Sequence, residues 1–367
     1  MITRRALLST TGGLVAAATL APALSRAAGE PDAAFDAAVK AAKGQSLNLI
    51  VDPPQAYRDI AAIFAKAYPD INVQTTVMHP SDAAPRVITE QRNKVYSFDA
   101  WWGTCTNMNS IAAPAGILAE LPPYLLLPSV KDASNWRLPD MLYTSPKPFV
   151  FVHTLGLINQ GAYNTDLVPG GVLTLDKLLD PSLKKMISIR VPSRPHGGSL
   201  MLAQIAKQKG FDFVETLLRT MEPVYVDNDR QNTMSVVRGD TAVGIGTSEE
   251  TLYSCHQEKG CTNVKVFPTA DMQARGVSVL NNAPNQAAVK VFVNWLLSKE
   301  GQETYVREWS KTNFGGGFSM RKDVEPGPGQ SDSMPDMSHI ETYSAVSYDS
   351  GWADVQKIIS LYKTIQG

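Results

Sequence analysis

The stretch SLNLIVDPPQAYRDIAAIFAKAYPDINVQTTV, residues 46–77, contains two short apolar runs on either side of a helical pattern. The first run covers residues 46–51 and the second covers residues 71–77, and both have the length and the β-branched content of strands. Between them, apolar residues recur at helical spacing until Pro69 stops the pattern: Ile60, Ile63, Phe64 and Ala67. A strand, a helix and a strand joined this closely predict a β-α-β unit with parallel strands.

The same alternation continues along the chain and predicts an α/β protein with two lobes. Residues 29–150 repeat the strand and helix pattern and form the first part of lobe one, and residues 151–263 restart it as lobe two. Residues 264–367 are expected to return to lobe one, beginning with the strand-like VKVF at 264–267. Each lobe is predicted to be a mostly parallel sheet flanked by helices, with strands connecting the two.

Residues 1–28 have the features of an export signal. Arg4 and Arg5 precede a weakly apolar stretch that reaches Leu24, and small residues surround Ala27, where cleavage is expected. The start resembles a twin-arginine signal, and a general secretory signal is the alternative. Both place the mature protein in the periplasm. The sequence after the signal contains no uninterrupted apolar run of about 18 residues, the length that spans a membrane.

Composition and charge narrow the partners. A chain of 367 residues with 44% hydrophobic and 19% charged residues can bury a large core. Its net charge of -1 supplies no basic surface for nucleic acid. We expect a monomer that binds a small molecule and needs no cofactor.

The three cysteines fit neither a disulfide-rich scaffold nor a four-ligand zinc site. In an oxidising compartment, CHQEKGC predicts a small disulfide loop between Cys255 and Cys261 and leaves Cys105 free. A metal held by the two cysteines and His256 is the alternative, although the spacing differs from the usual pairs of zinc ligands.

Four segments resemble landmarks of one family over nearly the whole mature chain. APNQAAVKVFVNWLLSKEGQETYV (residues 283–306) is similar to the C-terminal signature of the family 1 extracellular solute-binding proteins, the periplasmic components of ABC importers. Three more segments resemble further landmarks in the same order: YPDINVQ (68–74), AYNTDLVPGGVLTLDKLLDPSLKKMISI (162–189) and VVRGDTAVGIG (236–246). The branch includes ferric-ion, phosphonate, thiamine and sugar-phosphate binders. The resemblance implies a type II two-lobed fold that closes on a ligand and presents it to an inner-membrane permease.

In open α/β sheets, ligands bind beyond the carboxyl ends of the strands, so the loops that follow strands are the candidate site. The residues expected there from lobe one are Pro54, Gln55, Trp101, Trp102, Gly103, Thr104, Asn281 and Asn282. Those expected from lobe two are Ser193, Arg194, His196, Gly198, Ser199, Thr247, Ser248 and Glu249.

The loop PSRPHGGS (192–199) opens a helix, where unpaired backbone N–H groups and the helix dipole favour an anion. Arg194 offers a bidentate partner, the amides of Gly198 and Ser199 offer a cradle, and Trp101 or Trp102 offers a flat wall. We therefore expect a small anionic organic ligand. A phosphonate, a sugar phosphate and an aromatic carboxylate all satisfy this pattern.

Two alternatives remain open. Iron-binding members of the family carry a tyrosine pair after the strand that AVGIG matches, whereas this chain has Thr247-Ser248-Glu249-Glu250 there, so a ferric ion would need other oxygen ligands. A periplasmic hydrolase is the alternative of another class. The sequence contains no G-x-S-x-G or H-E-x-x-H motif, and its five histidines are scattered, so we expect a binding protein and not an enzyme.

Overall fold

The computed structural model describes residues 32–143, 147–158, 160–257, 260–267, 271–311, 318–327 and 348–367. The predicted export signal at residues 1–28 lies outside the described residues. Within these ranges, every helix is too short or too polar to cross a lipid bilayer.

Strands and helices alternate through most of the chain. The strands are β1 (Ser46–Val51), β2 (Asn72–Val77), β3 (Ala100–Thr104), β4 (Leu118–Ala119), β5 (Phe151–Ile158), β6 (Gly161–Asn164), β7 (Ile187–Arg190), β8 (Val224–Val226), β9 (Val243–Ile245), β10 (Val264–Val266), β11 (Asp271–Leu280) and β12 (Phe318–Ser319). The helices are α1 (Ala33–Ala41), α2 (Gln55–Ala67), α3 (Pro80–Arg92), α4 (Cys105–Asn107), α5 (Pro128–Lys131), α6 (Gly197–Lys209), α7 (Phe211–Thr220), α8 (Asp229–Arg238), α9 (Glu249–Gln257), α10 (Gln286–Leu297), α11 (Lys299–Trp309) and α12 (Tyr348–Gln366).

The β-α-β unit at residues 46–77 forms as its periodicity predicts. β1 pairs in parallel with β2 from Ser46–Asn72 to Val51–Val77. α2 packs one face into the core through Tyr57, Ile60 and Phe64, and the helix ends just before Pro69, which cannot continue it.

Lobe one is built on the larger sheet, with strand order β12-β5-β11-β3-β1-β2 and β4 beside β11. β2, β1 and β3 run parallel, whereas β11 runs antiparallel to both β3 and β5. The parallel half therefore places its carboxyl ends at one edge, and β11 enters the sheet from that same edge.

Lobe two is built on a five-stranded sheet with the order β10-β6-β9-β7-β8. The chain enters it after β5 and leaves it before β11, so these two strands of lobe one lead to and from lobe two. This is the two-lobed α/β architecture that the sequence predicts.

Two segments lie in a different lobe from the one expected. β10, within the VKVF run, pairs with β6 in lobe two, so the predicted return at residue 264 is too early. α12 packs on lobe two, where Val355, Ile358 and Ile359 join its core. The sequence pattern shows that α12 is amphipathic, but the partner of its apolar face is set by tertiary contacts.

The structure pairs Cys255 with Cys261, as the spacing in an exported chain predicts, and leaves Cys105 free and buried. Cys255 lies in α9 and Cys261 lies just before β10, so the bridge connects these two elements of lobe two.

Candidate functional site

A cavity of about 230 Å³ lies between the two lobes. Loops that follow β1, β2 and β3, together with β11, form its wall in lobe one, and loops that follow β7, β8 and β9 form its wall in lobe two. The polar residues that line it are Asp52, His79, Ser81, Thr104, Thr106, Asn107, Gln160, Arg190, His196, Asp229, Thr247, Ser248, Gln273 and Arg275. The volume is below the range of about 300–1,000 Å³ that is typical for drug-sized ligands, so the cavity suits a smaller molecule.

Asp52 is the first residue after β1 and is 4% exposed. Its Oδ2 accepts hydrogen bonds from the backbone N–H of Thr104 at 2.8 Å and from the Thr104 hydroxyl at 2.7 Å. Gly103 makes this arrangement possible, because a Cβ at that position would overlap the Asp52 carboxylate. Burial raises the pKa of Asp52, opposed by the Thr104 hydrogen bonds and by the charges of Arg275 and His79.

Arg275 brings a second charge to the wall of lobe one. It lies on β11 directly opposite Thr104 of β3, so the two side chains share one face of the sheet. The guanidinium is 4.4 Å from the ring centroid of Trp309, and the side chain is 3% exposed. Stacking on an aromatic ring holds the guanidinium plane in place beside the cavity.

Arg190 is the last residue of β7 and faces the cavity from lobe two. One terminal nitrogen lies 3.5 Å from a carboxylate oxygen of Asp229, which is a long contact for a hydrogen bond. Its Nε is buried and has no hydrogen-bond partner among the described residues. Burial lowers the pKa of Arg190, the Asp229 charge opposes this, and nearby Arg194 adds to it. Arg190 is therefore a cation whose donors are only partly satisfied.

The loop before α6 forms a capping box that uses most of its own polar groups. His196 Nδ1 accepts from the N–H of Gly198 at 3.3 Å, and Ser199 Oγ accepts from the N–H of His196 at 3.1 Å. The Ser199 hydroxyl also donates to the carbonyl of Arg194 at 2.9 Å. Burial, with smaller contributions from Arg190 and Arg194, lowers the pKa of His196 to about 4. The imidazole is thus neutral, and because Nδ1 accepts, its proton is on Nε2.

The structure brings together five of the residues expected at the site: Pro54, Thr104, His196, Thr247 and Ser248 line the cavity. Gly103 lies next to it and accommodates Asp52. Glu249 is the first residue of α9, and its side chain is outside the described residues.

The predicted anion cradle is different in the structure. Arg194 and Ser193 are exposed and do not line the cavity. Gly198 and Ser199 are buried, the Gly198 N–H is engaged by His196, and the Ser199 hydroxyl caps the helix. Gly198 is required for packing, since a Cβ there would overlap the carbonyl of Arg190. The arginine that reaches the cavity is Arg190, four residues before the predicted one.

Trp101 and Trp102 do not form a wall of the cavity, because both are fully buried. β3 is an inner strand whose two faces are both covered, so alternation places one indole in each half of the core. The indole N–H of Trp102 donates to Nε2 of His153 at 2.9 Å, and its ring packs edge-on against Tyr57 with centroids 4.8 Å apart.

Three other expected residues also lie outside the cavity lining. Gln55 is exposed at the start of α2, where it bonds Arg58 and Asp59. Asn281 and Asn282 follow β11, which runs antiparallel to β3 and so ends at the opposite edge of the sheet from the cavity. There the Asn281 side chain donates to the carbonyl of Gly116 at 2.6 Å.

The sequence did not single out Asp52, Arg190 or Arg275, which line the cavity. A signal existed for two of them, because each is a charged residue at the end of, or inside, an otherwise apolar strand: Arg190 in ISIRV and Arg275 in QARGVSVL. Asp52 falls in the DPPQ loop that was expected at the cleft. Among the described residues, no group of three or more His, Cys, Asp or Glu side chains is arranged to hold a metal ion.

A family model described as bacterial extracellular solute-binding protein matches residues 51–308, which is most of the chain and includes both walls of the cavity. The chain belongs to this family. A curated relative of this solute-binding protein, an uncharacterized protein of Haemophilus influenzae, is 26% identical over 215 residues. The match spans 56% of the chain and 60% of the relative's length.

Solved structures with a similar fold include HitA, AfuA and a ferric binding protein. Iron-bound HitA from Pseudomonas aeruginosa superposes on this solute-binding protein with a TM-score of 0.64 at 18% identity, and AfuA from Actinobacillus pleuropneumoniae with fructose-6-phosphate bound does so with 0.64 at 20%. The ferric binding protein from Campylobacter jejuni gives 0.63 at 16%. Each match covers 87% of this chain and 99% of the other chain. At these identities the likeness shows the two-lobed fold.

Proposed function

We propose that this solute-binding protein captures a small anionic organic molecule between its lobes and delivers it to the permease of an ABC importer. The observation that carries the proposal is the pair of arginines on opposite walls, Arg190 from lobe two and Arg275 from lobe one. A ligand that contacts both guanidinium groups stabilises the closed arrangement of the lobes, because an open arrangement separates them.

The charge balance of the cavity supports an anion. The charges of Arg275 and Asp52, which lie on the same wall, offset each other in part. Asp229 is partly exposed, and its contact with Arg190 is long at 3.5 Å. A partly exposed carboxylate at this distance neutralises the charge of its partner weakly. The Nε–H of Arg190, which has no partner among the described residues, is then a donor available to a phosphate or a carboxylate.

The helices add to this field. α3 and α6 begin at the cavity with Pro80 and Gly197, and α8 begins there with Asp229. Each is at least ten residues long, and the positive ends of their dipoles point toward the same space. Convergent helix starts favour a bound anion over a bound cation.

Identification of retained and added ligands tests the proposal. Molecules released from the purified protein by denaturation are analysed by mass spectrometry, and the emptied protein is titrated calorimetrically with inorganic phosphate, fructose 6-phosphate, a carboxylate, a neutral sugar and ferric ion. We expect one anion per chain to bind reversibly and to be recovered unchanged. Binding of only the neutral sugar or the ferric ion, or chemical turnover of the ligand, would contradict the proposal.

A further inference from the structure

Asp52 carries a buried carboxylate oxygen that the protein leaves unused. Oδ2 accepts two hydrogen bonds from Thr104, but Oδ1 has no partner among the described residues. Bulk water cannot readily replace that partner, because Asp52 is only 4% exposed. Asp52 lines the cavity. A buried polar atom without a partner is costly, and such atoms in folded proteins are usually completed by water or by a ligand.

The surroundings fix Asp52 so that rotation cannot satisfy the second oxygen elsewhere. The two bonds from Thr104 hold one side of the carboxylate, and the backbone of Gly103 lies so close that any side chain there would overlap it. The acceptor is therefore held in one orientation before a ligand arrives, which lowers the entropy cost of using it.

The charge next to Asp52 determines which donor it can take. Arg275 lies opposite Thr104 on the neighbouring strand, and its charge, together with that of His79, acts on the Asp52 carboxylate. These charges offset part of the negative charge of Asp52, so a neutral donor is enough to complete the site. A ligand ammonium group would be repelled by Arg275 at close range.

We propose that Oδ1 of Asp52 accepts a hydrogen bond from a hydroxyl group of the bound anion, so that the ligand is a hydroxylated phosphate or carboxylate. The proposal rests on the proposed function, in which Arg190 binds the anionic group from lobe two. The ligand then places its anionic group toward lobe two and a hydroxyl group toward lobe one, and it bridges the cleft with two different ends.

Matched pairs of anions that differ only in their hydroxyl groups test this on the intact wild-type protein. Glycerol 3-phosphate is compared with propyl phosphate, and glycerate is compared with propanoate, by calorimetric titration. In at least one series the hydroxylated member should bind about 10- to 150-fold more tightly, the range expected for one hydrogen bond to a charged group. Phosphoethanolamine, which carries an ammonium group, should bind more weakly than glycerol 3-phosphate.

The Asp52→Asn variant is the protein-side test. Its amide oxygen can still accept from the Thr104 N–H, so that the amide NH2 takes the place of Oδ1 and offers a donor where the wild type offers an acceptor. The preference for the hydroxylated member should fall to a few-fold, because a ligand hydroxyl can only accept a neutral hydrogen bond from that amide, while the alkyl member should bind as it does to the wild type. Asp70→Asn serves as the control, since Asp70 is an exposed residue whose carboxylate forms an ion pair with Lys43 at 3.7 Å.

The outcomes separate the two proposals. If alkyl and hydroxylated anions bind the wild type equally, or if Asp52→Asn weakens both members of a pair alike, the role of Asp52 is wrong while anion capture stands. If phosphoethanolamine binds more tightly than glycerol 3-phosphate, the donor to Asp52 is an ammonium group and not a hydroxyl group, and the assignment is wrong. If no anion of either series binds, the proposed function fails and this inference fails with it.

Discussion

Replacing Arg190 with alanine should weaken anion binding strongly and leave folding almost unchanged. Arg190 offers a buried Nε–H that has no partner among the described residues, and its ion-pair contact with Asp229 is long at 3.5 Å. A hydrogen bond to a charged group contributes about 1.5–3 kcal/mol, so loss of one such bond should weaken binding by roughly 10- to 150-fold. Loss of a partly exposed ion pair should change the free energy of unfolding by about 0–1 kcal/mol.

Arg194 provides the matched control because it is an arginine in the adjacent loop that does not line the cavity. Arg194→Ala should bind within a few-fold of the wild type. Arg190→Lys should give an intermediate affinity, because lysine keeps the charge but lacks the Nε–H and the planar fork.

Calorimetric titration of the three variants with fructose 6-phosphate, alongside urea unfolding, measures both effects. Wild-type affinity in Arg190→Ala would refute the assignment of Arg190 as an anion ligand. An equal loss in Arg194→Ala would show that the general field of the loop, and not direct contact with Arg190, controls binding.

Three further perturbations test the scaffold around the cleft. Burial, aided by Arg275, lowers the pKa of His153 to about 3, so as pH falls below 6.5 the unfolded chain takes up a proton that the folded protein refuses until about pH 3. The free energy of unfolding should therefore fall by about 2 kcal/mol between pH 7.5 and pH 5 through this group. Urea unfolding of His153→Leu should show a correspondingly smaller pH dependence. An equal pH dependence in both proteins would contradict this prediction. Gly103→Ala should lower the free energy of unfolding by about 1–3 kcal/mol or displace Asp52, because the added Cβ overlaps the Asp52 carboxylate. A melting temperature and a ligand affinity that both equal the wild-type values would exclude that clash. Small-angle scattering should show a smaller radius of gyration when a tightly binding anion is added, whereas an unchanged radius would argue against closure of the lobes.

The local pattern of residues determined the elements and the fold class. In residues 46–77 the strand and helix periods were clear enough to predict a parallel β-α-β unit. The number of residues between two side chains fixes whether they lie on the same face of a strand or helix. The same reasoning predicted the helix start at the loop before α6 and the pairing of Cys255 with Cys261. These features depend on neighbours that are close in sequence.

The tertiary structure decided which polar residues meet. Trp102 lies in a strand pattern that is compatible with either a core or a cleft position. It is buried because helices cover both faces of the sheet. Asn281 follows a strand as the cleft loops do, but β11 runs antiparallel, so its end lies at the far edge. Strand direction and lobe assignment are set by contacts between residues far apart in sequence, and no local period reports them.

The two arginines near residue 190 show the limit most directly. Sequence favoured Arg194, because a Gly-rich helix start with an adjacent arginine is a common anion site. In the folded protein the capping box turns that loop's groups inward, while Arg190 leaves the end of β7 facing Arg275 across the cavity. The sequence by itself determined that an arginine would lie near this helix start. Which one lines the cavity depends on the close packing of Gly198 against the Arg190 carbonyl and on the opposite lobe, and only the tertiary structure brings these together.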